Sequence, residues 1–157
     1  MGEIFNCFNG KGLTNEEILE FEGDIPCIQG GAANNGSIGL INRAYCEKQS
    51  YLIIDEPCLT VARVGTAGYV NFWNTSCAIG DKCKGLTFKE HHSIECYLFC
   101  QEVLNCLSYK YSYGRGLNTA VYLSDIIRLP QTPDGEPDWK WMEDYMRSLP
   151  YSDLIAA

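Results

Sequence analysis

Apolar and polar positions change rhythm twice along this chain of 157 residues. Between residues 25 and 88 the apolar residues come in short β-rich runs, with turn residues about every eight to twelve positions, the spacing of successive short strands. Strands are expected at 25–29, 37–41, 51–54, 59–63, 69–73, 77–80 and 86–88. The first contains Pro26 and is expected at a sheet edge, where a missing backbone N–H costs least. Gly65-Thr66-Ala67-Gly68 reads as a hairpin loop between two of these strands, and Asn35-Gly36 as a turn that accepts positive φ.

After Ser93 the period lengthens. Ile94, Tyr97, Leu98, Leu104 and Leu107 fall at helical spacing, with Ser93 placed to cap. A short helix is expected over 118–125 and a last strand over 126–129, stopped by Pro130. Residues 131–137 form a turn-rich linker. A final helix over 138–148 follows, with Trp139, Trp141, Met142, Tyr145 and Leu149 on an apolar side and Pro150 as the stop. At the front, Thr14 and Glu17 have capping-box spacing and open a short helix ending near Glu22.

The formal charge is −8, which at first disfavours a nucleic-acid binder. Its distribution changes that picture. Residues 1–24 carry six acids against one lysine, residues 134–157 six acids against two basic residues, and residues 25–133 eight acids against nine basic residues. The middle of the chain permits DNA contact, although phosphate neutralisation by this domain alone should be weak. No apolar stretch approaches a membrane span, and the acidic start lacks the pattern of a signal peptide, so a cytoplasmic protein is expected, with no membrane partner. Nine cysteines, an odd number without export signals, argue for buried thiols rather than a disulfide framework. Cys96-x3-Cys100 and Cys77-x5-Cys83 do not repeat a zinc-ligand spacing, so no metal is expected.

Enzyme constellations are poor. The serine-hydrolase elbow, the two-histidine zinc helix and the phosphate-binding P-loop are absent. So are the Asn-Pro-Pro-Tyr/Phe pattern of adenine methyltransferases and the Glu-x-Lys pattern of nucleases. No catalytic residue and no cofactor is assigned.

Several loops carry chemistry suited to DNA. Arg63 lies at the mouth of the glycine hairpin, where it can meet a phosphate or a guanine edge, or remain a solvated arginine. Tyr109 to Arg115 alternates tyrosine with Lys110 and Arg115, which is either a stacking and cationic patch or a strand with a tyrosine-lined face. Gln29, Asn34 and Asn35 carry amides that match the paired donor and acceptor of adenine, though such amides also cap turns. Lys11, Lys82 and Lys84 each lie near a turn, where a solvated lysine is the usual outcome.

Taken in order, these segments resemble a family. They are Gly10-Lys11-Gly12-Leu13-Thr14, Gly23-Asp24-Ile25-Pro26, Asn34-Asn35-Gly36-Ser37-Ile38-Gly39, the run from Cys58 to Gly68, Tyr111-Ser112-Tyr113-Gly114-Arg115, Ile127-Arg128-Leu129-Pro130 and the run from Pro137 to Tyr145. The order resembles the target recognition domains of type I restriction-modification specificity subunits, in the version paired with type IIB and IIG enzymes. The resemblance implies an α+β fold: a twisted, mostly antiparallel sheet or partial barrel flanked by helices, with a C-terminal helix. It divides the chain into a recognition domain over 1–130 and a linker with a partner-packing helix over 131–157. It implies double-stranded DNA and a methyltransferase subunit as partners, with a homodimer as a further option. Lys11, Gln29, Asn34, Asn35, Arg63, Thr66, Lys84, Lys110, Tyr113 and Arg115 become candidate DNA contacts, and Gly65, Gly68 and Gly114 shape the loops that carry them.

The chain departs from a full specificity subunit, which has two such domains separated by long helices. A half-subunit, a fragment or a free-standing relative all fit that departure. A second reading is a protein-interaction or regulatory domain on the same fold, whose acidic surface mimics DNA.

Overall fold

A computed structural model describes residues 1–111, 117–150 and 152–156. Among them the elements run β1 (Phe5–Asn9), α1 (Asn15–Glu20), β2 (Ile25–Ile28), β3 (Ser37–Ile41), α2 (Arg43–Gln49), β4 (Leu52–Ile54), β5 (Cys58–Ala62), β6 (Val70–Trp73), β7 (Cys77–Ile79), β8 (Cys83–Phe88), α3 (Ile94–Asn105), α4 (Thr119–Ser124) and α5 (Trp139–Ser148). The strands form two four-stranded sheets that do not close into a barrel. One is antiparallel throughout, in the order β1-β8-β5-β6; the other has the order β3-β2-β7-β4, with β2 and β7 parallel.

Local chemistry explains the helix ends. Thr14 Oγ1 accepts from the Glu17 amide at 3.2 Å while Glu17 Oε2 accepts from the Thr14 amide at 2.7 Å, so the expected capping box is formed. Ser93 caps α3, Asn118 caps α4 and Asp138 caps α5, each accepting from a first-turn amide.

Every residue of β5 and β8 is buried, because their sheet is covered on both faces. On one face lie Tyr97, Cys100 and Leu104 of α3. On the other the second sheet comes so close that a Cβ on Gly85 would lie 2.3 Å from Ile54 Cδ1. The second sheet builds its own core with α1 and α2, from Leu13, Ile18, Ile25, Cys27, Ile41 and Cys46.

Two expectations need correcting. β2 is an inner strand, flanked by β3 and β7, not an edge. It tolerates Pro26 because its ladder with β7 involves only Cys27 and Ile28. Residues 126–129 form no strand. Residues 43–49, to which the sequence pattern assigns no element, form α2. Strand β1, also unanticipated, pairs with β8 along its whole length.

Helix α5 is docked on the body of the domain. Met142 is fully buried, Arg147 Nε meets Glu95 Oε1 of α3 at 2.7 Å, and Trp139 packs against Phe88 and His92. Seven of the nine cysteines are buried and none forms a disulfide. Burial pushes the Cys27 and Cys83 thiols up to about 12. Among the described residues no cluster of His, Cys, Asp and Glu could hold a metal ion, and no helix is long and apolar enough to cross a membrane.

Candidate nucleic-acid interface

Four loops meet at one edge of the two sheets: the segment after β1, the segment between β2 and β3, the β5–β6 hairpin and the β7–β8 turn. Backbone hydrogen bonds lock them together. The Lys11 amide donates to Ile79 O at 3.2 Å, the Asp81 amide to Gly12 O at 3.3 Å, and the Arg63 amide to Lys82 O at 2.8 Å. The Arg63 guanidinium also donates through Nη1 to Asp81 O at 2.9 Å, which fixes its stem against the turn.

Gln29 sits at the centre of this joint. Its Nε2 donates to Leu13 O at 2.5 Å and to Gly12 O at 3.3 Å, while its Oε1 accepts from the Lys82 amide at 3.1 Å. The amide suited by type to adenine is therefore engaged in holding three loops. Asn35 is similarly engaged: its Nδ2 donates to Phe72 O at 2.6 Å, and Trp73 Nε1 donates to Asn35 O at 3.1 Å. Both Asn34 and Asn35 adopt left-handed backbone, at φ 49° and 53°, and both are exposed.

The hairpin is shaped as its sequence suggests. The Gly68 amide donates to Ala62 O at 2.9 Å, and the Tyr69 amide to Thr66 O at 3.0 Å. Gly68 has φ 84°, and a Cβ there would lie 2.6 Å from the Tyr111 ring, so no other residue fits. Gly65 has φ 69° at the open tip, beside exposed Thr66.

Lys11 and Lys82 are exposed and Arg63 half-buried on these interlocked loops, with Asp81 the acid among them. Two lysines are engaged within the fold, Lys84 among them despite the solvated outcome expected near a turn. Lys84 is 1% exposed, because its place on β8 turns it between β1 and α4; its ammonium donates to Asn9 Oδ1 and Thr119 Oγ1, each at 2.6 Å. Lys110 stands 3.1 Å from the Asp125 carboxylate, which also accepts from Tyr111. Tyr113, Gly114 and Arg115 lie outside the described residues, and so does any juxtaposition of Arg63 with Arg115.

With this geometry in view, the family profile of the type I restriction modification DNA specificity domain matches residues 1–150. The chain belongs to this family. Within it, the specificity subunit S.BcgI of a type II restriction enzyme from Heyndrickxia coagulans is 30% identical over 151 residues, covering 95% of this chain and 42% of that subunit. The HsdS subunit from Thermoanaerobacter tengcongensis superposes with a TM-score of 0.63 at 17% identity, over 99% of this chain and 36% of that one. The type I S subunit from M. genitalium does so with a TM-score of 0.61 at 17% identity, over 99% and 36%. This specificity domain thus spans less than half the length of the relatives it matches and shares their α+β fold.

Sequence reading passed over three residues of this specificity domain that bear on the edge. Asn9, Asn118 and Thr119 gather around Lys84 and Arg63 along one groove of about 590 Å³. Asn118 carries an N-cap signal, but nothing local in the sequence ties it to residues 9, 63 or 84.

Proposed function

We propose that this chain is a DNA-reading module of a restriction-modification specificity subunit and that duplex DNA docks on the four-loop edge. Lys11, Arg63 and Lys82 meet the phosphate backbone or a guanine edge there, and Asn34 and Thr66 stand on exposed loop tips beside them. Arg115 and Tyr113 belong to the same reading on sequence alone. Gln29 and Asn35 support the loops instead of reading bases. Methylation and cleavage take place in partner subunits, and a methyltransferase subunit completes the assembly in the cytoplasm.

The observation that carries the reading is the convergence of these cations on interlocked loops in a chain whose overall charge is −8 and whose family is named for DNA specificity. Acid elsewhere on the surface repels DNA, so orientation on the duplex is set by the cationic edge.

Titration of fluorescent duplex DNA into the full chain, with and without its methyltransferase partner, tests the reading. Binding should weaken steeply as salt rises. A chain that binds the methyltransferase but no duplex at low salt would be a regulator instead of a reader.

A further inference from the structure

Among the described residues the groove beside the hairpin is lined by two cations and no acid. Lys84 forms its floor. Arg63, Leu117, Asn118, Thr119 and Asn9 line the rest. The Lys84 ammonium has three N–H donors. Two reach the neutral oxygens of Asn9 and Thr119, and Thr119 Oγ1 lies 3.2 Å from Asn9 Oδ1, so the three groups form one closed polar cluster. Among the described residues no carboxylate pairs with Lys84 or Arg63. Residues 112–116, 151 and 157, which lie outside the described residues, include no acid.

An ammonium that is 1% exposed without a counter-charge is an expensive arrangement. A second cation facing the same groove adds repulsion. Burial, with Arg63 nearby, lowers the Lys84 pKa, partly opposed by neighbouring thiols. Methionine on β8 would fill the same space without that cost. The arrangement makes physical sense once a negative group enters the groove and is met from both sides.

We propose that the groove between Lys84 and Arg63 is a seat for one tetrahedral phosphate oxyanion. This rests on the DNA-reading proposal for its occupant, a backbone phosphate of the duplex. Lys84 supplies the fixed charge at the floor and Arg63 a guanidinium donor at the rim. Asn118, whose Oδ1 is engaged by the Ala120 and Val121 amides, has only donors left to offer. A phosphate here sets the register of the duplex against the hairpin and carries no base information.

Two variants of the full chain test this. Lys84→Met removes the charge and keeps the volume. Thr119→Asp keeps the lysine and places a carboxylate against it. Both should fold, and Lys84→Met should melt no lower than the parent. In a potassium chloride series with duplex DNA, each variant should weaken binding by the same factor for every duplex tested, and the slope of log affinity against log salt should fall by about one. In a thermal melt with added inorganic phosphate at constant ionic strength, the parent should gain melting temperature and both variants should not.

If a folded variant keeps the parent's salt slope and its response to phosphate, the seat does not exist. Should Lys84→Met fail to fold, Thr119→Asp decides alone. If the parent responds to phosphate through Lys84 but binds no duplex, the seat stands as a site for free phosphate, and it is the DNA reading that fails.

Discussion

The carboxamide of Gln29 bridges to Leu13 at 2.5 Å on one side while its oxygen takes the Lys82 amide on the other. One side chain thereby sets the relative positions of the loops bearing Lys11 and Lys82. Replacing it with alanine orphans part-buried backbone groups. Gln29→Ala should cost about 1–3 kcal/mol, the penalty for unsatisfied buried partners, readable as a lower midpoint in urea unfolding. A loss of base preference with unchanged stability would instead mean that the amide reads DNA.

Lys110 and Arg63 should separate in a binding assay. Asp125 already neutralises Lys110, whereas the Arg63 guanidinium meets only a backbone carbonyl. Lys110→Ala should change duplex affinity less than Arg63→Ala does, measured side by side at low salt.

Met142 is fully buried where α5 meets the domain. Met142→Ala should destabilise the domain by about 2–5 kcal/mol, the range for truncating a buried methionine. Thermal or urea unfolding checks this. A variant as stable as the parent would show that α5 is dispensable to the body of the domain.

Glu17 gives the fold an acid-sensitive point. Burial alone would raise its pKa, but hydrogen bonds from the Tyr51 hydroxyl, the Thr14 amide and the Tyr45 hydroxyl outweigh it and lower the value from 4.5 to about 2. The folded value lies below the unfolded one, so this stabilisation is complete above pH 4.5 and is lost as pH falls toward 2. Glu17→Gln should destabilise at neutral pH and matter progressively less in that acid window, as urea unfolding across the range will show.

Thiol chemistry gives a further check. Seven cysteines are buried, Cys7 is half-buried and Cys106 is exposed. A disulfide reagent should label Cys106 rapidly and Cys7 slowly in the native domain, with the remainder reacting only on unfolding. Mass spectrometry of the labelled protein identifies the sites.

What the sequence reveals follows the range of the forces involved. Thr14 and Ser93 are legible as caps because each bonds an amide three residues away. The hairpin at Gly65 and Gly68 is legible because backbone sterics are local. The place of β2 inside its sheet is not, because strand order depends on β7, far along the chain. Helix α2 escapes notice because Cys46 is its one buried residue, too little to show a period. The candidate site divides the same way. Arg63 is recognisable at the mouth of its loop. The burial of Lys84 depends on Asn9 and Thr119, and the engagement of Lys110 on Asp125, all brought in by the tertiary fold.

The decisive measurement is the affinity of the Arg63→Ala chain for duplex DNA, beside the parent, across a salt series. A DNA-docking edge centred on the hairpin requires a loss of about 1–3 kcal/mol if Arg63 meets a guanine edge bidentately, or a uniform loss with a salt slope reduced by about one if it meets a phosphate. Equal affinity and equal slope for the two proteins, both folded, would place the DNA elsewhere on the molecule.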